Sequence, residues 1–80
     1  METTSNAHDI RQHVGENIRL MRESQGLSQY KFSAMIGMDR TYLIGVEKGR
    51  RNVSLDNLSK IAAGLDIPIS HLFADVERDI

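Results

Sequence analysis

Between Ser28 and Gly49 the chain reads SQYKFSAMIGMDRTYLIGVEKG. This is two short apolar-periodic stretches, each opened by a capping side chain and closed by a glycine. Ser28 precedes Phe32 and Ile36, four residues apart, and Gly37 follows. Asp39 precedes Leu43 and Val46, three apart, and Gly49 follows. Helices of two turns do not survive alone in water, so each must rest on the other and on the remaining chain. Gly37 permits a sharp turn between them. Ser33 is small where the two helices must approach most closely. Gln29, Ser33, Gly37, Leu43 and Val46 stand at offsets 0, 4, 8, 14 and 17, the spacing of two short helices meeting at a glycine-containing turn.

The flanking sequence repeats the same punctuation. Residues 1–8 are mostly polar and are read as a flexible N-terminal tail. From Asp9 a helical period runs through Ile10, Val14, Ile18 and Met21 and ends at Gly26. After a loop at 50–53, Ser54 caps a fourth helix carrying Leu55, Leu58, Ile61, Ala62 and Leu65. Pro68 opens a fifth, with Ile69, Leu72, Phe73, Val76 and Ile80 on one face. Neither an alternating strand pattern nor an Asn-Gly hairpin signal is present. The expected architecture is all-α: a single five-helix domain over residues 9–80 with a helix-turn-helix at its centre.

Composition narrows the functions open to such a chain. Eighty residues suit one small domain with a small core. With no cysteine there is no disulfide, thiol nucleophile or cysteine metal knuckle. His8, His13 and His71 are scattered, and no carboxylate pair suggests a cleft, so neither an enzyme nor a metal site is expected. No cofactor is implied. No apolar run is long enough for a membrane span or secretory leader, and a cytoplasmic protein is expected. Two Tyr, two Phe and no Trp argue against a stacking platform for single strands. Met21, Met35 and Met38 read as core filler. The net charge of −1 is uninformative, but its distribution is not. From Arg19 to Arg51 seven basic residues face three acidic ones, a net of +4, between acidic flanks. That is a footprint for a polyanion.

The segments IRLMRESQGLSQ, the central motif, VEKG and SLDNLSKIAAGLDIPISHLF together resemble the lambda-repressor-like helix-turn-helix family, also called the Cro or xenobiotic-response-element type. The resemblance covers roughly residues 14–73. Within that family, DRTYLIGVEKGRRNVSL looks most like the controller proteins of restriction–modification systems. The resemblance implies a transcriptional regulator that binds double-stranded operator DNA as a homodimer; in the chain itself no added small-molecule effector domain is expected. It also implies a partly buried ion pair between Arg22 and Glu47 that ties the first helix to the third.

The residues themselves are compatible with that role. On a helix starting at Arg40, steps of 100° turn Leu43 and Val46 inward and Thr41, Ile44, Gly45 and Lys48 outward. The major groove admits one helix, whose first residues reach base edges. Arg40 can donate two hydrogen bonds to guanine, and Thr41 offers a hydroxyl or a methyl. Ile44 suits a thymine methyl, or is simply an exposed apolar residue. Gly45 has no side chain with which to read a base. Tyr42 fits core packing or phosphate contact equally. Gln29, at the start of the preceding helix, is placed for phosphate contact, which its family counterpart makes; the plain alternative is a neutral helix former. Ser28 is first an N-cap, with phosphate contact secondary. Arg50, Arg51 and Asn52 form a loop suited to the DNA backbone, and the resemblance supports Arg51 and Asn52 in particular. Lys31 and Lys48 steer phosphates or are merely solvated.

One recognition helix reads only about 4–5 base pairs, so a dimer is expected. Ile69, Leu72, Phe73, Val76 and Ile80 are its candidate interface. The rival reading is an antitoxin or another protein-interaction adaptor on the same fold. What binds, a palindromic duplex or a protein, separates the two.

Overall fold

The computed structural model describes residues 6–76, with side-chain detail from residue 10 onward. It contains four α-helices, α1 (Asn6–Ser24), α2 (Gln29–Ile36), α3 (Arg40–Glu47) and α4 (Leu55–Leu65), followed by a 3-10 turn at Ile69–Phe73. No strand occurs among the described residues. Among the described residues the domain is therefore all-helical, with one α-helix fewer than the five expected.

The caps explain the boundaries. Ser28 Oγ accepts from the Lys31 amide at 3.0 Å, Asp39 Oδ2 from Tyr42 at 3.0 Å, and Ser54 Oγ from Asn57 at 3.1 Å. Each satisfies one of the N–H groups that a helix start leaves without a partner. Between α2 and α3 the chain reverses at Gly37, whose φ of 66° is left-handed and favours glycine.

Each helix turns one apolar stripe inward. Val14 and Ile18 from α1, Phe32 from α2, Leu43 and Val46 from α3, and Leu58, Ile61, Ala62 and Leu65 from α4 share a single core. Fully burying a side chain of this kind contributes about 1.5–3 kcal/mol, so packing holds together helices too short to persist alone. Ser33 is buried at the α2 crossing, and its hydroxyl donates to the Tyr30 carbonyl at 3.0 Å. α1 and α3 cross so closely at Gly15 that a Cβ there would lie 2.6 Å from the Glu47 carbonyl oxygen.

Four expectations are corrected. First, α1 begins at Asn6, inside the stretch read as a tail; residues 1–5 lie outside the described set. Second, the C-terminal helix is only a 3-10 turn. Asn17 Nδ2 donates to the carbonyls of Leu72 at 3.0 Å and Ala74 at 3.1 Å. Those acceptors would serve the ladder of a continuing α-helix. Ala74 has ψ 129° and Asp75 φ 67°, so the backbone leaves the helical path. Third, the reversed chain returns Val76 to the core, 7% exposed, beside a fully buried Leu72. Neither can line an interface between copies. Ile69, 39% exposed, and the half-buried Phe73 remain accessible, while Ile80 lies outside the described residues. Fourth, Met35 and Leu55 are exposed rather than core residues, Leu55 at 73%.

Candidate nucleic-acid interface

The position of α3 depends on a buried polar contact. Arg22 Nε donates to Glu47 Oε2 at 2.6 Å and Arg22 Nη2 to Glu47 Oε1 at 2.9 Å. The two side chains are 6% and 2% exposed. Arg22 Nη1 donates to the Leu27 carbonyl at 2.7 Å, and Gln29 Nε2 donates to Glu47 Oε1 at 2.9 Å. The last turn of α1, the α1–α2 connection, the start of α2 and the end of α3 are thus joined. Hydrogen bonding to Glu47 holds the Arg22 guanidinium above the ordinary arginine range, against the opposing effect of its burial. No buried polar side-chain atom lacks a partner among the described residues.

With Leu43, Val46 and Glu47 held inside, the other face of α3 points outward. Arg40, Thr41 and Lys48 are exposed, and Tyr42, Ile44 and Gly45 are half-buried. Arg40 leaves the first turn with its guanidinium 6.0 Å from the Tyr30 ring centroid, at the outer edge of a cation–π contact. Tyr30 is 69% exposed. Ser28 and Lys31 lie exposed at the start of α2.

The loop after α3 divides its two arginines. Arg50 lines a polar hollow with Gln12, Arg19, Gln29, Glu47 and Lys48. Arg51 and Asn52 border a different, largely apolar groove of about 450 Å³, with Ile10, Leu55 and Phe73 among its walls. Arg51 also turns over Tyr42, its guanidinium 5.2 Å from the ring centroid. The Tyr42 hydroxyl accepts from Asn57 Nδ2 at 3.1 Å.

The structure brings Gln29, Lys48 and Arg50 to one hollow, sets Arg51 and Asn52 at the other groove, and leaves Arg40 and Thr41 exposed at the start of α3 with Ser28 and Lys31 exposed at the start of α2. Gln29 is not a free ligand, since its amide N–H reaches into the Arg22–Glu47 pair. Tyr42 is half-buried against the core, the first of the two roles weighed for it, and its ring also carries Arg51. The sequence reading missed Tyr30 beneath Arg40 and Asn57 behind Tyr42. Neither residue breaks a helical period, so no signal in the chain marked them. Among the described residues no group of His, Cys, Asp or Glu could hold a metal ion, and no helix is long and apolar enough to cross a membrane.

An exposed first turn on a short helix, fixed from behind by a buried ion pair and flanked by bases, defines a helix-turn-helix nucleic-acid-binding protein. The helix-turn-helix family model matches residues 18–72, and the chain belongs to that family. The control protein C.MunI from Mycoplasma sp is 48% identical over 73 residues, covering 90% of this chain and 99% of its own. The crystal structure of the restriction–modification controller protein C.AhdI from Aeromonas hydrophila superposes with a TM-score of 0.76 at 45% identity. That match covers 78% of this chain and 94% of the other. The C.Esp1396I controller tetramer, solved with its natural 35 base-pair operator, matches with a TM-score of 0.75 at 26% identity, covering 88% and 92%. These relatives are controller proteins, and the family is one of DNA-binding regulators, which is not a class of enzyme.

Proposed function

We propose that this protein is a sequence-specific, double-stranded-DNA-binding transcriptional regulator of the restriction–modification controller type. It acts in the cytoplasm, on a palindromic operator and as a homodimer, and regulates its own promoter among its targets. The observation that carries this reading is the outward face of α3. Arg40 and Thr41 project from a first turn whose rear is locked by Leu43, Val46 and the Arg22–Glu47 pair. A rigid helix of this size lies in the major groove, with its first residues at the base edges.

Arg40 supplies bidentate donors to guanine, Thr41 contacts a neighbouring base or sugar, and Ile44 meets a thymine methyl. Ser28, Lys31, Lys48, Arg50, Arg51 and Asn52 hold the backbone, while Gln29 steadies the Arg22–Glu47 pair behind them. Phosphate contacts of this kind set orientation and affinity, while base contacts set sequence. Two copies supply the specificity that one half-site lacks, and the C.Esp1396I relative likewise meets its operator as more than one copy, there a tetramer. Ile69 and Phe73 are the expected stripe residues still available for that association.

Selection of bound duplexes from a random pool tests the reading. The expected result is an enriched inverted repeat, its half-sites about one helical turn apart. A pool that shows no enriched motif overturns it.

A further inference from the structure

Gly45 is the sixth residue of the eight-residue α3 and is half-buried. Glycine is a poor helix former, and this position carries no left-handed φ that would demand it. The requirement is spatial. A Cβ on Gly45 would sit 2.9 Å from Arg51 Cγ and 3.3 Å from Arg51 Nε. The stem of Arg51 thus lies in the notch left by the missing side chain. Its guanidinium continues over the Tyr42 ring at 5.2 Å from the centroid. That ring is anchored in turn by the hydrogen bond from Asn57 Nδ2 on α4 to its hydroxyl. A loop arginine is thereby laid across the recognition helix, over the place where a longer residue 45 would project.

We infer that Gly45, Tyr42 and Asn57 form a cradle that orders Arg51 before DNA arrives, with Gly45 and Asn57 as positioning residues. The inference rests on the proposed DNA-binding role of this surface and deepens it. An arginine on a free loop loses considerable rotamer freedom when it docks. One already lying on a ring loses less, and it presents its donors from a fixed origin. The cradle thus supplies, from the loop, a donor over the middle of α3 where the helix itself has none. It also explains why α3 accepts a residue that weakens it.

Gly45→Ala is the main test, because its backbone conformation suits alanine. The variant should melt at or above the temperature of the unaltered protein. In the free protein, the δ-methylene protons of Arg51 should show an upfield ring-current shift by NMR. That shift should vanish in Gly45→Ala and shrink in Asn57→Ala. Affinity for the selected operator should fall by about two- to fivefold in Gly45→Ala, the worth of an exposed cation–π contact. In an Arg51→Ala background the same substitution should cost nothing. An equal cost in both backgrounds would mean that the added methyl meets DNA directly, and the cradle would be overturned. So would the absence of a ring-current shift in the unaltered protein. If the shift behaves as expected but Arg51→Ala binds the operator normally, what fails is the DNA role of Arg51, and with it the function assigned to the cradle.

Discussion

Arg22 and Glu47, 25 residues apart in the chain, face each other through two parallel N–H···O contacts of 2.6 and 2.9 Å, with both side chains almost entirely removed from water. The pair sits behind the recognition helix, so its integrity sets the angle at which that helix meets a duplex. Removing one partner leaves a desolvated charge. Glu47→Ala should lower unfolding free energy by about 3–5 kcal/mol, read from urea melts. Arg22→Met with Glu47→Leu together should recover most of that loss. A cost below about 1 kcal/mol for Glu47→Ala, the level of a surface ion pair, would show the contact to be dispensable.

Sequence reading is proposed to depend on Arg40, exposed at the start of α3. Arg40→Ala should cost about 1–3 kcal/mol on the selected operator and much less on random duplex, measured by fluorescence anisotropy at one salt concentration. Equal losses on both would reassign the residue to phosphate steering.

Replacing Arg50 and Arg51 together with Gln should weaken operator and random duplexes alike. The slope of log K against log salt should flatten by roughly 1–2 units, because each phosphate contact releases about one condensed counterion. An unchanged slope would place this loop away from the DNA.

Ile69 and Val76 belong to one apolar sequence pattern but occupy opposite environments. Ile69→Asp should leave the thermal melt nearly unchanged and shift sedimentation toward monomer at micromolar concentration. Val76→Asp should instead lower the melting temperature sharply, since it buries a charge in the protomer core. If Ile69→Asp sediments as the unaltered protein does, association uses another surface, for which the exposed Leu55 is the next candidate.

On the outer face of α1, Arg19 Nε and Nη1 donate to Glu16 and Glu23 at 3.2 and 2.9 Å. The hydrogen bond from Arg19 holds the Glu16 carboxyl below the ordinary glutamate range. A depressed carboxylate pKa adds stability above the unfolded-state value, and that stability is lost as pH falls through the folded-state value. Because Glu16 is exposed, the effect belongs in its titration rather than in a melt. The Glu16 carboxyl carbon should titrate at lower pH in the unaltered protein than in Arg19→Gln. Coincident curves would show the contact to be absent in solution.

Local chemistry was readable from the chain wherever neighbours in sequence decide the outcome. Ser28, Asp39 and Ser54 cap because their oxygens reach an amide three residues on, and Gly37 turns because only backbone freedom is required. The inward stripes of α1 to α4 follow from period alone, apart from Leu55, whose helix-start position leaves it in water. These features, with the spacing from Gln29 to Val46, carried the all-α class, the helix-turn-helix and the inward and outward sides of α3.

Contacts between distant segments were decided only by the tertiary structure. Asn17 captures the Leu72 and Ala74 carbonyls, so a stripe with α-helical spacing becomes a 3-10 turn and Val76 joins the core. No local pattern carries that competition, because its donor lies 55 residues away from Leu72. The same holds for Gln29, diverted into the Glu47 carboxylate, and for Arg51, laid over Tyr42 in the space at Gly45. Periodicity reports which way a side chain points from its own helix. What it meets there depends on how the helices cross, and that is set by the summed packing of the whole core.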